Sequence, residues 1–344
     1  MIVILLIVFF FLAVLFLIDS KNAVVNNAVL IIIGVVLVAI AGFRGPDIDR
    51  DYYVYKNYWF TKNISGTVEE SFVIIRDILK YNLFLSITTL FVVYAVLGVY
   101  AKLIGIRVMA YSFYASVLVY FSHYFILHEF TQIRVGVATG FMIIALYFAY
   151  KRNLYWFLVV GAIAILFHYS LVFLLPLYFL GNGRNLKLFY LLIPVGYAYY
   201  FMSNVMNVNI PIPYFQERIE TYQTLQDLGF IEVEEVNIFN AVLLVRITLL
   251  YTFFYFADKI AEVDRKIYLL VKIYAISIFS FLFLAKMPVF AFRISELLGV
   301  VEILIIPYLL LIIRNRLLGK FAIIGIALVF LLFNLFYLKL VADV

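Results

Sequence analysis

Apolar residues run in long blocks along this chain, at residues 1–18, 24–43, 83–100, 108–127, 133–150, 154–180, 186–202, 238–257, 267–285, 294–313 and 321–340. Most are close to the ~20 apolar residues a helix needs to cross a bilayer, so the pattern predicts an all-α polytopic membrane protein. The block 154–180 is longer and carries His168, Tyr169 and Ser170 at its middle, with Pro176 beyond. It reads as one tilted helix or as two short ones turning at His168. Basic residues choose between them. With one helix, the loops bearing Lys151/Arg152 and Arg184/Lys187 fall on opposite sides of the membrane. With two, Lys21, Lys102, Arg107, Lys151, Arg152, Arg184, Lys187, Lys259, Arg265, Lys266, Arg314, Arg316 and Lys320 all share one side with only four acids, the positive-inside pattern. The expectation is about 12 transmembrane helices with both termini outside.

That topology puts four polar stretches on the outer face. The first, residues 44–82, contains Thr67-Val-Glu-Glu70, which reads as a capping box ahead of Phe72, Ile75, Ile78 and Leu79 at helical spacing. An amphipathic helix on the bilayer surface is expected there. The second is the turn from His128 to Arg134. The third, residues 203–237, places Phe215, Ile219, Tyr222 and Leu225 on one helix face with Gly229 to end it, a second interfacial helix. The fourth runs from Lys286 to Glu296, where charge enters the start of a span. No internal repeat is visible, so residues 1–344 are read as a single integral membrane domain.

Composition supports the class: 67% of the 344 residues are hydrophobic and 13% charged, unlike a soluble domain. The net charge of +6 is scattered over inner turns, which reflects orientation and argues against nucleic-acid binding. The first block lacks a basic n-region and a cleavage site, so it reads as a retained span. With no cysteine there is no disulfide, thiol nucleophile or Cys-based metal site. Walker, Rossmann, HExxH and GxSxG patterns are all missing, which leaves ATP-driven work and zinc hydrolysis without support and implies no cofactor.

The chemistry-bearing residues gather at the outer face instead. Residues 42–82 hold twelve of the chain's forty-six charged residues, a density that a lipid-embedded chain does not carry idly. Arg44, Asp47, Asp49, Asp51, His128, Glu129, Arg134, His168, Arg293 and Glu296 all lie at or just below that face. Arg134 or Arg293 alone would be an interfacial anchor that snorkels. Together with Arg44 they suggest a shared anion, because a guanidinium grips phosphate bidentately. A lipid diphosphate sits at that depth. His168 is either a satisfied polar group at a helix break or a general base for a sugar hydroxyl. Asp47, Asp49 and Asp51 read as a salt-bridged loop, a direct binding or base element, or an oxygen-ligand cation site, and the expectation is no metal. Tyr52, Tyr53, Tyr55, Tyr58 and Trp59 could hold sugars by stacking. Arg246, Lys272 and Glu302 lie deeper, as a structural ion pair or an ion pathway.

Several of these residues fall in a familiar order: Phe43-Arg44, Asp51, Tyr55, Phe60, Glu69-Glu-Ser-Phe72, Gln132-Ile-Arg134, His168-Tyr-Ser170, and Arg293 before a span with Pro307. From about residue 24 to residue 310 the chain resembles the EpsG-like family of exopolysaccharide proteins, related to Wzy-type O-antigen polymerases. Gly45-Pro-Asp-Ile-Asp-Arg50 departs from the family's small-residue approach to its Asp, so the local loop shape is open there. The resemblance implies a GT-C-like glycosyltransferase in the bacterial inner membrane, its active site facing the periplasm. It would pass a growing glycan from undecaprenyl diphosphate to the terminal sugar hydroxyl of a lipid-linked repeat unit. Implied partners are that lipid-linked oligosaccharide and membrane lipid, with room for a chain-length regulator. The resemblance marks Arg44, Asp51, Tyr55, Arg134, His168 and Arg293; with the charge reading, His168, Arg134, Arg293 and Asp51 are the catalytic candidates and Arg44, Tyr55, Glu296 and Glu129 the substrate-binding ones. A ligase using the same donor shares the arginines, and a flippase of lipid-linked sugar is the non-enzyme alternative, whose inverted repeats are not seen.

Overall fold

The structure is a computed structural model that describes residues 1–20, 22–206 and 236–341. The expected interfacial helix carrying Phe215, Ile219, Tyr222 and Leu225, and the loop residue Lys21, lie outside the described residues. The described chain is helical, with two isolated bridges (Asp49 with Val341, Ser65 with Val68) in place of any sheet. Among the described residues, six helices are long and apolar enough to cross a membrane: Val24–Gly42, Ile87–Met109, Ile133–Tyr150, Ala241–Ala261, Pro288–Ile312 and Arg316–Tyr337. Ile2–Ile18, Leu154–Phe167, Tyr169–Leu180 and Ile267–Phe283 are shorter apolar helices. The chain has the make-up of a multi-pass membrane protein, and it divides into two compact units, Met1–Gly181 with Glu302–Val344, and Asn182–Val301.

In the first unit, Ile87–Met109 packs along Ile133–Tyr150, which packs in turn on Leu154–Phe167. Small residues allow the close approach of the first two. A Cβ on Gly140 would stand 2.7 Å from the Ala101 Cβ and 3.0 Å from the Lys102 backbone nitrogen. In lipid, where apolar surface gives little drive for helices to associate, such small-residue contacts are a main source of pairing.

The long block 154–180 is two segments. Leu154–Phe167 ends at His168, whose extended backbone (φ −155°, ψ 108°) breaks the helix before the tighter 3-10 helix Tyr169–Leu180 begins. The two segments pack on each other as an antiparallel hairpin: the Phe157 ring lies 5.1 Å from the Tyr178 ring, and Gly161 faces Leu174. Both pairs are symmetric about the same point, the link between Phe167 and His168, which places the histidine at the tip.

Two sequence expectations fail in this unit. The Thr67–Glu70 capping box does not form, because the helix starts two residues late, at Glu70 with Glu69 as its N-cap. The Thr67 hydroxyl donates to the Ile64 carbonyl (2.7 Å) and the Glu70 carboxylate accepts from Ser65. Lys102, expected in an inner loop, sits inside the helix Ile87–Met109, fully buried, with Nζ 2.8 Å from Glu129 Oε1 and 2.6 Å from the Gly136 carbonyl. The apolar block seemed to end at Tyr100 only because a paired lysine interrupts it.

The second unit is built around Ile267–Phe283, which packs on Lys187–Met206, Ala241–Ala261 and Pro288–Gly299. Nearly every side of that helix is buried, as an all-round apolar helix requires. Arg246 donates to Ser295 Oγ (3.1 Å) and Ser277 Oγ (2.9 Å), and Lys272 to the Gly183 carbonyl (2.9 Å). Glu302, in the first unit, is buried and accepts from the Tyr124 hydroxyl at 3.2 Å.

Candidate functional site

The loop 44–82 builds one wall of the site by helix periodicity. In Tyr52–Phe60 the residues Tyr52, Tyr55 and Trp59, at spacing i, i+3 and i+7, share the buried face, and Tyr53 and Phe60 point out. Arg76 donates to the Tyr58 and Thr61 carbonyls (both 3.0 Å) and Lys80 to the Trp59 carbonyl (2.6 Å), so two cations close the C-terminal end of that helix. The following helix, Glu70–Asp77, lays Phe72 and, through its continuation, Leu79 into the same cluster as Phe91, Tyr94, Ile133 and Val137. Phe72 and Leu79 are thus turned to protein, whereas Ile74 and Ile78, one turn apart, are exposed. The stacking residues expected for sugar are accounted for in the same way: Tyr52, Tyr55 and Trp59 are core.

Glu69 lies where these pieces meet. Its Oε1 is 2.7 Å from His168 Nδ1, and its Oε2 accepts from Arg134. The backbone around it is pinned to the hairpin tip: the Glu70 amide donates to the Tyr169 hydroxyl (3.0 Å) and Ser71 Oγ to the Leu166 carbonyl (2.6 Å). Burial alone would raise the Glu69 carboxyl. The hydrogen bond from His168 and the Arg134 charge outweigh it and hold the group below the usual carboxylate range. Arg134 also meets the Tyr55 hydroxyl and lies over the Phe72 ring, 5.8 Å from its centroid. Burial, with the Asp51 charge helping against Arg134, pushes the Tyr55 phenol up to about 12, so it is a neutral hydrogen-bonding group near pH 7. Asp51 is half-buried; burial and then Asp49 raise its carboxyl against the pull of Arg50, Arg134 and Arg44. The buried Tyr94 hydroxyl, near Arg134 and Glu69, has no hydrogen-bond partner among the described residues.

The first unit therefore brings together Asp51, Tyr55, Glu69, Arg134 and His168 from the loop 44–82, the start of a long helix and the hairpin tip. Side-chain exposure of 23% at Arg134 and 14% at His168 leaves both reachable. The arrangement offers a cation for an anionic group, a histidine held by a carboxylate, and neutral hydroxyls between them. Glu69 was missed as a site residue because the capping-box reading drew on Thr67 and Glu70 and left Glu69 without a role. Its signal was an acid within the polar loop 44–82, at the start of a helix.

Other expected site residues are placed elsewhere. Arg44 is buried, and each of its guanidinium nitrogens already has a protein acceptor: Nε bonds Asp49 Oδ2 (2.6 Å), Nη1 the Ala41 carbonyl (2.6 Å) and Nη2 the Phe130 carbonyl (2.9 Å). The guanidinium also stacks 4.0 Å from the Phe91 centroid. Contrary to the expectation of substrate binding, Arg44 ties the loop to the helix bundle. Arg44→Met would strand the buried Asp49 charge and is expected to cost about 3–5 kcal/mol, read as a lower melting temperature and less folded protein with the rate per folded molecule largely kept. Asp47 turns away to the Tyr53 hydroxyl (2.7 Å) and Asp49 to Arg44, so the acidic triplet does not converge.

Glu129 and His128, expected in an outer turn, are instead buried in a wider π-type helix, Tyr120–Thr131, and the chain turns only at Gln132. Glu129 pairs inward with Lys102 and accepts from the Tyr120 hydroxyl (3.0 Å), and it is buried, contrary to the expectation of substrate binding. Arg293 and Glu296 stand on Pro288–Gly299 in the second unit, Arg293 exposed and Glu296 partly buried.

The amylovoran biosynthesis protein AmsC of Erwinia amylovora is 24% identical over 323 residues, covering 87% of this chain and 83% of that protein. No solved structure matches the chain. The EpsG family model matches residues 27–343, a stretch that takes in every member of the cluster around Glu69, and the chain belongs to the EpsG family.

Proposed function

We propose that this protein is a polysaccharide polymerase of exopolysaccharide biosynthesis. It transfers a growing glycan from undecaprenyl diphosphate to the terminal hydroxyl of a lipid-linked repeat unit. The observation that carries this reading is the partly open cluster of Arg134, His168, Asp51 and Tyr55. It combines a grip for an anionic leaving group with candidate bases, in a family member without a nucleotide-binding motif. The relation to a protein of amylovoran biosynthesis supports the same substrate class.

In the reaction the acceptor oxygen bonds the donor's anomeric carbon while the bond from that carbon to the diphosphate oxygen breaks. The electron pair leaves with undecaprenyl diphosphate. The hydroxyl proton passes to His168 or Asp51 and then to solvent. Arg134 stabilises the charge that grows on the diphosphate, which is where electrostatic catalysis has most effect. Tyr55, expected to bind substrate, is buried and acts through Arg134, whose guanidinium it holds in place. Arg293 is proposed as a further diphosphate-binding cation, and Glu296 as a substrate contact, from their places in the sequence alone.

The proposed setting is a GT-C-like layout of twelve membrane segments in the bacterial inner membrane, the cluster facing the periplasm. The hairpin supports a site just beneath that surface. Its 14-residue and 12-residue arms are ~21 and ~24 Å long, short of a ~30 Å hydrocarbon core. Arms that start at the basic inner loops thus leave His168 within the outer leaflet. Full-length protein in lipid vesicles, given a lipid-linked repeat unit and no nucleotide sugar or energy source, is expected to lengthen the glycan. Failure to lengthen any lipid-linked glycan under those conditions would overturn the assignment.

A further inference from the structure

We infer that Glu69 is the positioning residue of this site: it fixes the proton of His168 on Nδ1, leaves Nε2 as the base, and does so through a carboxylate that it shares with Arg134. The inference rests on the polymerase reading for its catalytic consequence, and on geometry for the rest. Glu69 is nearly buried and ionised, and a carboxylate only accepts hydrogen bonds. Nδ1 at 2.7 Å from Oε1 must therefore be the donor, so in the neutral ring Nε2 carries the lone pair. The tautomer is set by a residue ninety-nine positions away in sequence and held by the contacts of Glu70 and Ser71 to the hairpin tip. Of the two candidate bases, His168 has an orienting partner, whereas the charged neighbours of Asp51, namely Asp49, Arg50, Arg134 and Arg44, act on it from several directions.

The second carboxylate oxygen gives this arrangement a sharp test. Arg134 has donors only, so in Glu69→Gln the amide oxygen must turn to Arg134 and the amide nitrogen to His168. Nδ1 then has to accept, and the ring proton moves to Nε2, where it blocks the base. The same logic, in a serine hydrolase triad whose Asp becomes Asn, lowers turnover by ~10⁴.

The test uses the full chain in lipid nanodiscs with ¹⁵N-labelled histidine, the His168 signals being assigned by their loss in His168→Gln. At alkaline pH the wild type is expected to show a protonated Nδ1 and an unprotonated Nε2, and Glu69→Gln the reverse. In parallel, Glu69→Gln should lower glycan elongation by roughly 10² to 10⁴-fold at equal protein level. The same tautomer in both proteins, or elongation within about threefold of wild type, would overturn the inference. A tautomer that switches as expected in a wild-type protein that elongates no glycan would support the Glu69–His168 assignment and reject the polymerase reading, so the two failures are told apart.

Discussion

Arg134→Ala is expected to abolish long-chain polymer while the protein stays in the membrane at normal level. Arg134 is the one cation of the first-unit cluster that is both partly exposed and next to the candidate base, through Glu69. Removal of one preorganised donor from a developing oxyanion typically costs 10²- to 10³-fold in turnover, enough to collapse a ladder of many repeats to its first rungs. Arg134→Lys should restore little, since an ammonium cannot serve Glu69, the Tyr55 hydroxyl and a diphosphate with one fixed fork. His168→Ala and Arg293→Ala are expected to lose polymer as well, and normal chain-length ladders in all three variants would sink the assignment. The same gels separate the reaction from that of a ligase. A polymerase defect leaves a single repeat unit attached to the final acceptor, and a ligase defect leaves none.

Lys102→Met is expected to produce a large loss of stability. Lys102 and Glu129 are both sealed inside the helix bundle, with Nζ 2.8 Å from Oε1. Glu129 Oε2 has no hydrogen-bond partner among the described residues and faces Gly98 and Gly136. An added Cβ would stand 2.3 Å from that oxygen at Gly98 and 2.7 Å at Gly136, so the two glycines make the room that the carboxylate occupies. Taking away the lysine leaves this carboxylate with the Tyr120 hydroxyl alone, and breaking one side of a buried pair costs about 3–5 kcal/mol. A clear fall in melting temperature of the purified protein is the readout. Lys102→Met combined with Glu129→Gln removes both charges and should recover most of the loss. A double variant no more stable than the single one would show that the two charges are not coupled.

The hairpin at His168 was legible because two independent signals agreed on it. A polar triplet interrupted an overlong apolar block, and only a turn there put the flanking basic loops on one side. Arg134 and His168 were legible as candidates because ionisable residues at the edges of membrane spans are costly and therefore few. The same reasoning over-reached at Arg44 and Glu129. From sequence, an arginine or glutamate at a span boundary looks the same whether it points to a ligand or inward to Asp49 or Lys102.

Period and charge along the chain determined the helical class, the existence of the polar loop 44–82 and the split of residues 154–180. These follow from what each residue costs in lipid or gains at a helix face, which are local quantities. Which charges are already spent was decided only in three dimensions. Glu69 reaches His168 across ninety-nine residues, Lys102 reaches Glu129 between two helices, and Arg44 reaches carbonyls eighty-five and eighty-six residues on. Hydrogen bonds are satisfied by whatever the fold brings within about 3 Å, and no spacing rule encodes that. The tertiary structure thus moved the candidate site from a row of outward arginines to one carboxylate shared by an arginine and a histidine.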